Sequence, residues 1–251
     1  MTALLMALAA GAAVGLALGG LGGGGSVLAV PALIYLLDFS PVAATTASLL
    51  IVTATSLTGL LTHARAGNVR WKAGAAFAAA GLVPAALAGA AAARLPHNVL
   101  TVAFAVIAAI AAAGMLRTKA STEDGEQETP ARPVRAVSAG AGLGGLTGLL
   151  GVGGGFLAVP ALVGALGFRM RAAIGTSLLV IGVNSLAALS TRFATVDGLD
   201  WTVVAPFTGA AVLGAWDGKR LAARLSGAAL QRSFAVVLLA VAAFMFADTL
   251  I

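Results

Sequence analysis

The sequence predicts an all-α polytopic membrane protein built from two inverted homologous repeats. Each repeat opens with a glycine-broken helix, hairpin or re-entrant, followed by three transmembrane helices. Composition is the first reason. Of 251 residues, 60% are hydrophobic and 10% charged, with mean hydropathy +1.02. Ordinary globular domains carry about 25% charged residues. The second reason is the recurrence of long uncharged runs, at 2–37, 39–62, 73–93, 98–116, 136–168, 172–191 and 233–247. A hydrocarbon core about 30 Å thick asks for ~20 apolar helical residues. The runs do not alternate, so they read as helices rather than barrel strands. The third reason is internal repetition.

LAVPAL occurs at 28–33 and again at 157–162. Holding that offset from Leu21 to Thr62 gives 21 identities in 42 positions. One residue of slip then aligns Trp71 with Trp201 and Ala92-Ala93-Arg94-Leu95 with Ala222-Ala223-Arg224-Leu225. The chain therefore divides into a first membrane repeat (1–118), a polar linker (119–135) and a second membrane repeat (136–251). The linker holds four of the nine acidic residues and two prolines, which marks a solvated loop. Residues 2–18 look at first like a signal peptide. They lack a basic start and have a counterpart near 137–150, so they are expected to belong to the fold.

Charge sets the topology. Each repeat opens with an apolar stretch interrupted by glycines, GGLGGGG at 19–25 and GLLGVGGG at 148–155. If each stretch crossed once, the basic residues would divide eight against seven and specify no orientation. If each turns back at its glycines, thirteen basic residues fall on one side, leaving only Arg94 and Arg192 on the other. Lys and Arg concentrate in cytoplasmic loops. The turned-back arrangement is therefore preferred, with both termini outside and 63–72 and 118–135 in the cytoplasm. The second arm, Ser26–Leu37, is only ~18 Å long at 1.5 Å per residue, which favours a partly re-entrant arm. Odd parity makes the repeats inverted.

Several chemistries fall away. The chain has no Cys, so disulfides and thiolate sites are excluded. The formal charge of +6 lies beside apolar spans and reads as topology signal rather than nucleic-acid binding. Gly20–Gly25 formally fits GxGxxG, but it follows an apolar helix and lacks the acidic residue of a dinucleotide site. No acidic or basic residue lies mid-span. Asp217, near Lys219 and Arg220, reads as part of an interfacial ion pair. His63 and His97 fall in or beside loops, with no evident partner at depth for a hydrolytic serine. No cofactor, metal or catalytic residue is called for.

The glycines and hydroxyls remain. Irregular backbone at membrane depth is tolerated only where it is buried in protein or lines a cavity. A short helix starting there would aim free N–H groups and its positive dipole end into that cavity, a ready anion site. The candidates are Gly24, Gly25 and Ser26 in the first repeat and Gly153, Gly154 and Gly155 in the second. Thr46, Ser48, Thr176, Ser177 and Asn184 follow in the next helices. Hydroxyls in membrane helices ordinarily bond their own backbone carbonyls. Ser48/Ser177 and Ser56/Ser185 occupy matching repeat positions, and Asn184 is the only amide within an apolar span. Gly11, in the body of the first helix, is expected to tolerate Ala.

GGLGGGGSVLAVPAL with ATTASLL, repeated as GLLGVGGGFLAVPAL with AIGTSLL, resembles the sulfite exporter TauE/SafE family of membrane transporters. The resemblance covers essentially the whole chain, including Gly214 to Leu225. The sequence departs from the fuller pattern at Ser26 and Val152. Membership implies transport of small sulfur-containing anions such as sulfite or organosulfonates. The resulting expectation is a secondary transporter working by alternating access in the cell (inner) membrane. The alternatives are a passive anion channel and a non-transporting membrane scaffold. The partners expected are a small anion and the lipid bilayer, with no nucleic acid and with a homodimer left open.

Overall fold

The computed structural model describes residues 2–92, 97–117, 133–150, 155–191 and 199–248. Ten helices account for nearly all of them: α1 (Thr2–Leu21), α2 (Gly24–Pro31), α3 (Pro41–Arg65), α4 (Trp71–Ala92), α5 (His97–Arg117), α6 (Pro133–Leu150), α7 (Gly155–Gly164), α8 (Met170–Thr191), α9 (Trp201–Ala223) and α10 (Gly227–Asp248). Five are long and apolar enough to cross a membrane: α1, and the helices of the candidate spans Val42–Arg65, Trp71–Ala88, Met170–Ser190 and Gly227–Ala247. The expected element order holds in both halves, a long helix, a short helix, then three long helices.

The first repeat turns back where the glycines are. Gly22 has φ +71°, a conformation that glycine adopts without strain, and its N–H bonds Leu18 O at 2.9 Å. α2 starts two residues later. It contains Pro31, whose missing N–H breaks regular α pairing, and it continues as a wide π-helical turn over Ala32–Leu36. That arm of thirteen residues rises only about 20 Å, and ten-residue α7 about 15 Å, so neither alone crosses a bilayer. The arms end alike. Asp38 (φ +55°) and Gly167 (φ +68°) are repeat-related, and the N–H groups that follow, of Phe39 and Phe168, bond Leu33 O and Leu162 O at 3.0 and 3.1 Å.

Packing is exchanged between the halves. α1 packs most extensively on α9, and α6 on α4; α3 crosses α8, α5 lies along α10, and α2 meets α7. Swapping the halves leaves this scheme unchanged. The detail repeats too. A β-carbon on Gly11 would lie 2.4 Å from Phe207 O, and one on Gly140 would lie 2.3 Å from Phe77 O. One turn along, Gly15 meets Ala211 O at 2.0 Å and Gly144 meets Gly81 O at 2.1 Å. These four pairs correspond under the repeat alignment. They correct the expectation that Gly11 tolerates Ala, because its face is backbone-to-backbone contact of the small-residue kind that membrane helices use.

Large apolar side chains point outward. Leu213, Leu87, Val83, Ile110 and Leu5 are each more than 60% exposed. That is ruinous in water but suited to lipid. Inside are two hydrophobic clusters. One centres on Phe77, Phe104, Phe156 and Phe234. The other contains Leu18, Leu33, Ile51, Ile181 and Phe207. α2, α8 and α9 contribute to both. The exposed rings of Trp71 and Trp201, at the first residues of α4 and α9, suit an interfacial belt.

Candidate functional site

The turn between α1 and α2 is pressed against the start of α7 and the middle of α8. A β-carbon on Gly23 would lie 2.0 Å from Gly155 O. One on Gly22 would meet Ser177 Oγ at 2.6 Å, and one on Gly155 would meet Ser26 Oγ at 2.7 Å and Ile181 at 2.8 Å. Ile181 is at the centre of the 22-residue α8. Gly22, Gly23, Ser26, Gly155 and Ser177 thus form one cluster at mid-helix depth. The N-cap of α2, Gly23, supplies no side-chain acceptor to the first turn of that helix.

The other candidates lie around this cluster or apart from it. Gly24 begins α2. Gly25 faces α1, where a β-carbon would lie 2.6 Å from Val14 O and 2.5 Å from the Leu18 side chain, so its lack of a side chain serves the hairpin. Gly153 and Gly154 lie outside the described residues. Thr176 is fully buried and accepts a hydrogen bond from the Arg70 N–H at 3.1 Å, tying the loop after α3 to α8. Thr46 and Ser48 are buried on α3 and donate to Val42 O and Thr45 O. Ser26 and Ser177 donate to Gly23 O and Ile174 O. In each case the hydroxyl proton is taken by a local carbonyl.

Ser56 and Ser185 differ. Both are buried, and neither Oγ has a hydrogen-bond partner; nor does the buried Oδ1 of Asn184. A buried polar group left unpaired costs about 1–3 kcal/mol. Ser56 lies against α8 at Gly182, where a β-carbon would be 3.8 Å from its own. Asn184 and Ser185 follow Ile181 by three and four residues, so they lie roughly one turn beyond Gly155 along α8. The repeat-matched pair Ser56/Ser185 thus sits where α3 crosses α8, next to the glycine tips. Its place in the repeat was visible in the sequence, but its unmet hydrogen bonding was not.

At one end of the bundle the ends of α3, α8, α9 and α10 enclose a cavity of about 340 Å³. His63, Asn68, Arg171, Ile174 and Lys219 are among its lining. His63 is 3% exposed in the last turn of α3, and its Nε2 donates to Gly19 O at 3.1 Å. It sits beside the loop after α3, as the sequence suggested, and pins the arm of α1 that leads to the glycine turn. The expected ion pair at Asp217 forms with Arg220 at 3.3 Å on the exposed face of α9.

Helices sheathed in apolar side chains, packed through exchanged halves and broken at buried glycines, define a multi-pass membrane protein. The family model for the sulfite exporter TauE/SafE matches residues 7–245. The chain belongs to that family. It is similar to two curated proteins of Xylella fastidiosa, each named "Probable membrane transporter protein". The one from strain 9a5c is 36% identical over 247 residues, covering 96% of this chain and 94% of the relative. The one from strain Temecula1 is 34% identical over the same shares.

Proposed function

We propose that the protein is a secondary transporter of a small, sulfur-containing oxyanion such as sulfite or an organosulfonate, working by alternating access in the cell membrane. The observation that carries this reading is the closed contact of Gly23 with Gly155 beside the unpaired polar atoms of Ser56, Ser185 and Asn184. An anion drawn between the tips would accept hydrogen bonds from backbone N–H groups at the starts of α2 and α7. It would also take the two free hydroxyl protons, and the Asn184 amide turned to present its NH₂. Ser26 and Ser177 would join by releasing their local carbonyls. The contacting tips correspond to a state with the substrate path shut.

In this reading the halves are inverted and the tips meet near the bilayer midplane, a plan shared by transporters with broken helices. The end of the bundle bearing His63, Arg171 and Lys219 faces the cytoplasm, where basic residues concentrate, and the termini face outside.

Purified protein in sealed vesicles tests the function. Sulfite or sulfoacetate trapped inside should accelerate uptake of the labelled anion. Large uncoupled flux would indicate a channel, and absence of flux a scaffold.

A further inference from the structure

A buried imidazole caps the broken end of α1. The last carbonyls of a helix have no partner within it, and Gly19 is two residues from the end of α1. His63 Nε2 meets the Gly19 oxygen at 3.1 Å. A carbonyl only accepts, so Nε2 carries the proton of this bond. The backbone of His63 is seated elsewhere. Its carbonyl accepts the N–H groups of Ala66 and Asn68 at 3.2 and 3.1 Å. The loop so formed lies on α8, where a β-carbon on Gly175 would stand 2.5 Å from Asn68 O and 3.3 Å from His63 Cβ. The Arg70 N–H bonds Thr176 just beyond. The ring thus reaches from the corner of α3 and α8 to the arm that carries the glycine turn.

The bond lies beside a way in. Ser177 is fully buried, and a β-carbon on Gly22 would lie 2.6 Å from its Oγ and 3.4 Å from Ile174 Cα. Ile174 and His63 both line the cavity of about 340 Å³. Ile174 therefore belongs both to the cavity and to the seat of the turn, and lifting the end of α1 would join the two. The cavity also gives the ring somewhere to go. His63 Nδ1 is buried without a partner among the described residues. An unpaired buried acceptor offsets part of what the Nε2 bond contributes, so the bond is weak enough to part. A second proton, at Nδ1, would find no acceptor and would sit beside Arg171 and Lys219 of the same lining, so the ring that caps α1 is the neutral one.

We infer that His63 is the latch of the shut state: a positioning residue whose Nε2–H bond to Gly19 O holds the end of α1, and with it the glycine turn, closed over Ser177. When the path opens on this side, the ring swings into the cavity and the turn lifts from α8. The part this plays in moving a substrate rests on the transport reading. The latch itself does not, because it concerns the access of solvent to Ser177.

The test uses the full-length protein, which has no cysteine of its own, with Ser177→Cys as the reporter and a small methanethiosulfonate reagent as the probe. Labelling should be slow while His63 is present. His63→Leu should make it about tenfold faster, the scale of one hydrogen bond lost. His63→Gln places an amide N–H as many bonds from the backbone as Nε2 and should restore slow labelling. His63→Asn places its donor where Nδ1 stands and should stay fast. Ala108→Cys, fully buried on α5, reports general loosening and should label slowly beside every His63 variant. Slow labelling in His63→Leu, equal rates in His63→Gln and His63→Asn, or an equal gain at Ala108→Cys would overturn the latch. In sealed vesicles, with Ser177 intact, His63→Leu should lose accelerated exchange of sulfite and gain uncoupled flux. Absence of sulfite flux from the unaltered protein, with the labelling as expected, would sink the transport reading and leave the latch standing.

Discussion

Gly23 and Gly155 meet so closely that a β-carbon on the first would stand 2.0 Å from the carbonyl oxygen of the second. No other residue fits at Gly23 while the turn after α1 touches the start of α7. Gly23→Ala should therefore force the tips apart. The expected result is a protein that purifies intact but no longer reaches the closed state, with exchange transport reduced at least tenfold. Accelerated exchange in sealed vesicles measures this, and normal exchange would detach the tip contact from the cycle.

Ser56→Ala and Ser185→Ala should separate binding from stability. Each removes a buried hydroxyl that has no partner, so stability should hold or rise by up to about 1 kcal/mol. Affinity for the transported anion should nevertheless fall, as it should for Asn184→Ala and Asn184→Leu. Thermal denaturation and the KM of exchange, measured on the same preparations, check both halves of the statement. A loss of stability without a change in KM would make these residues helix glue.

Gly11→Ala and Gly140→Ala should be equally damaging, because their β-carbons would meet the repeat-related oxygens of Phe207 and Phe77 at 2.4 and 2.3 Å. Overpacking of this kind costs about 1–3 kcal/mol. Gly114→Ala is the control, since among the described residues no atom outside its own turn of helix lies within 4 Å of its β-carbon position. Folded yield in detergent reads the difference.

The repeat, the helices and the glycine break were all legible in sequence, because each leaves a local mark: shared words such as LAVPAL, uncharged length, and Gly clusters. Which face of each helix turns inward was not. In lipid the outer surface is as apolar as the core, so amphipathic pattern carries no signal and large side chains face out while glycines face in. That is why Gly11 looked free, and why the close packing of Gly25 on α1 was not foreseen. His63 does sit beside a loop, as expected, but its burial was not legible, because the end of α3 is covered by other helix ends, a tertiary effect that loop-like residues such as Asn68 and Gly67 disguise. The candidate hydroxyls were a matter of partner counting. Thr46, Ser48 and Ser177 use their own helices, whereas Ser56 and Ser185 do not, and only coordinates tell the two cases apart.

Asp38 adopts a left-handed conformation that its repeat partner Gly167 occupies without cost. Asp38→Gly should be neutral or stabilising, and Asp38→Val should cost on the order of 1–2 kcal/mol. Thermal denaturation of the two variants decides it.

Single cysteines at Ser40 and Ser121, in a chain that has none, test the orientation. An impermeant thiol reagent applied to intact cells should label Ser40→Cys only. Labelling of Ser121→Cys alone would reverse the orientation, and labelling of both would break the topology.

The most direct measurement is a structure of the protein with sulfite bound. The account predicts the anion between the hairpin tips, about 2.7–3.2 Å from backbone N–H groups near Gly23–Ser26 or Gly155, with Ser56, Ser185 or Asn184 turned toward it and the Gly23–Gly155 contact opened. Tips still in contact, with the transported anion bound elsewhere and Ser56 and Ser185 unengaged, would contradict it.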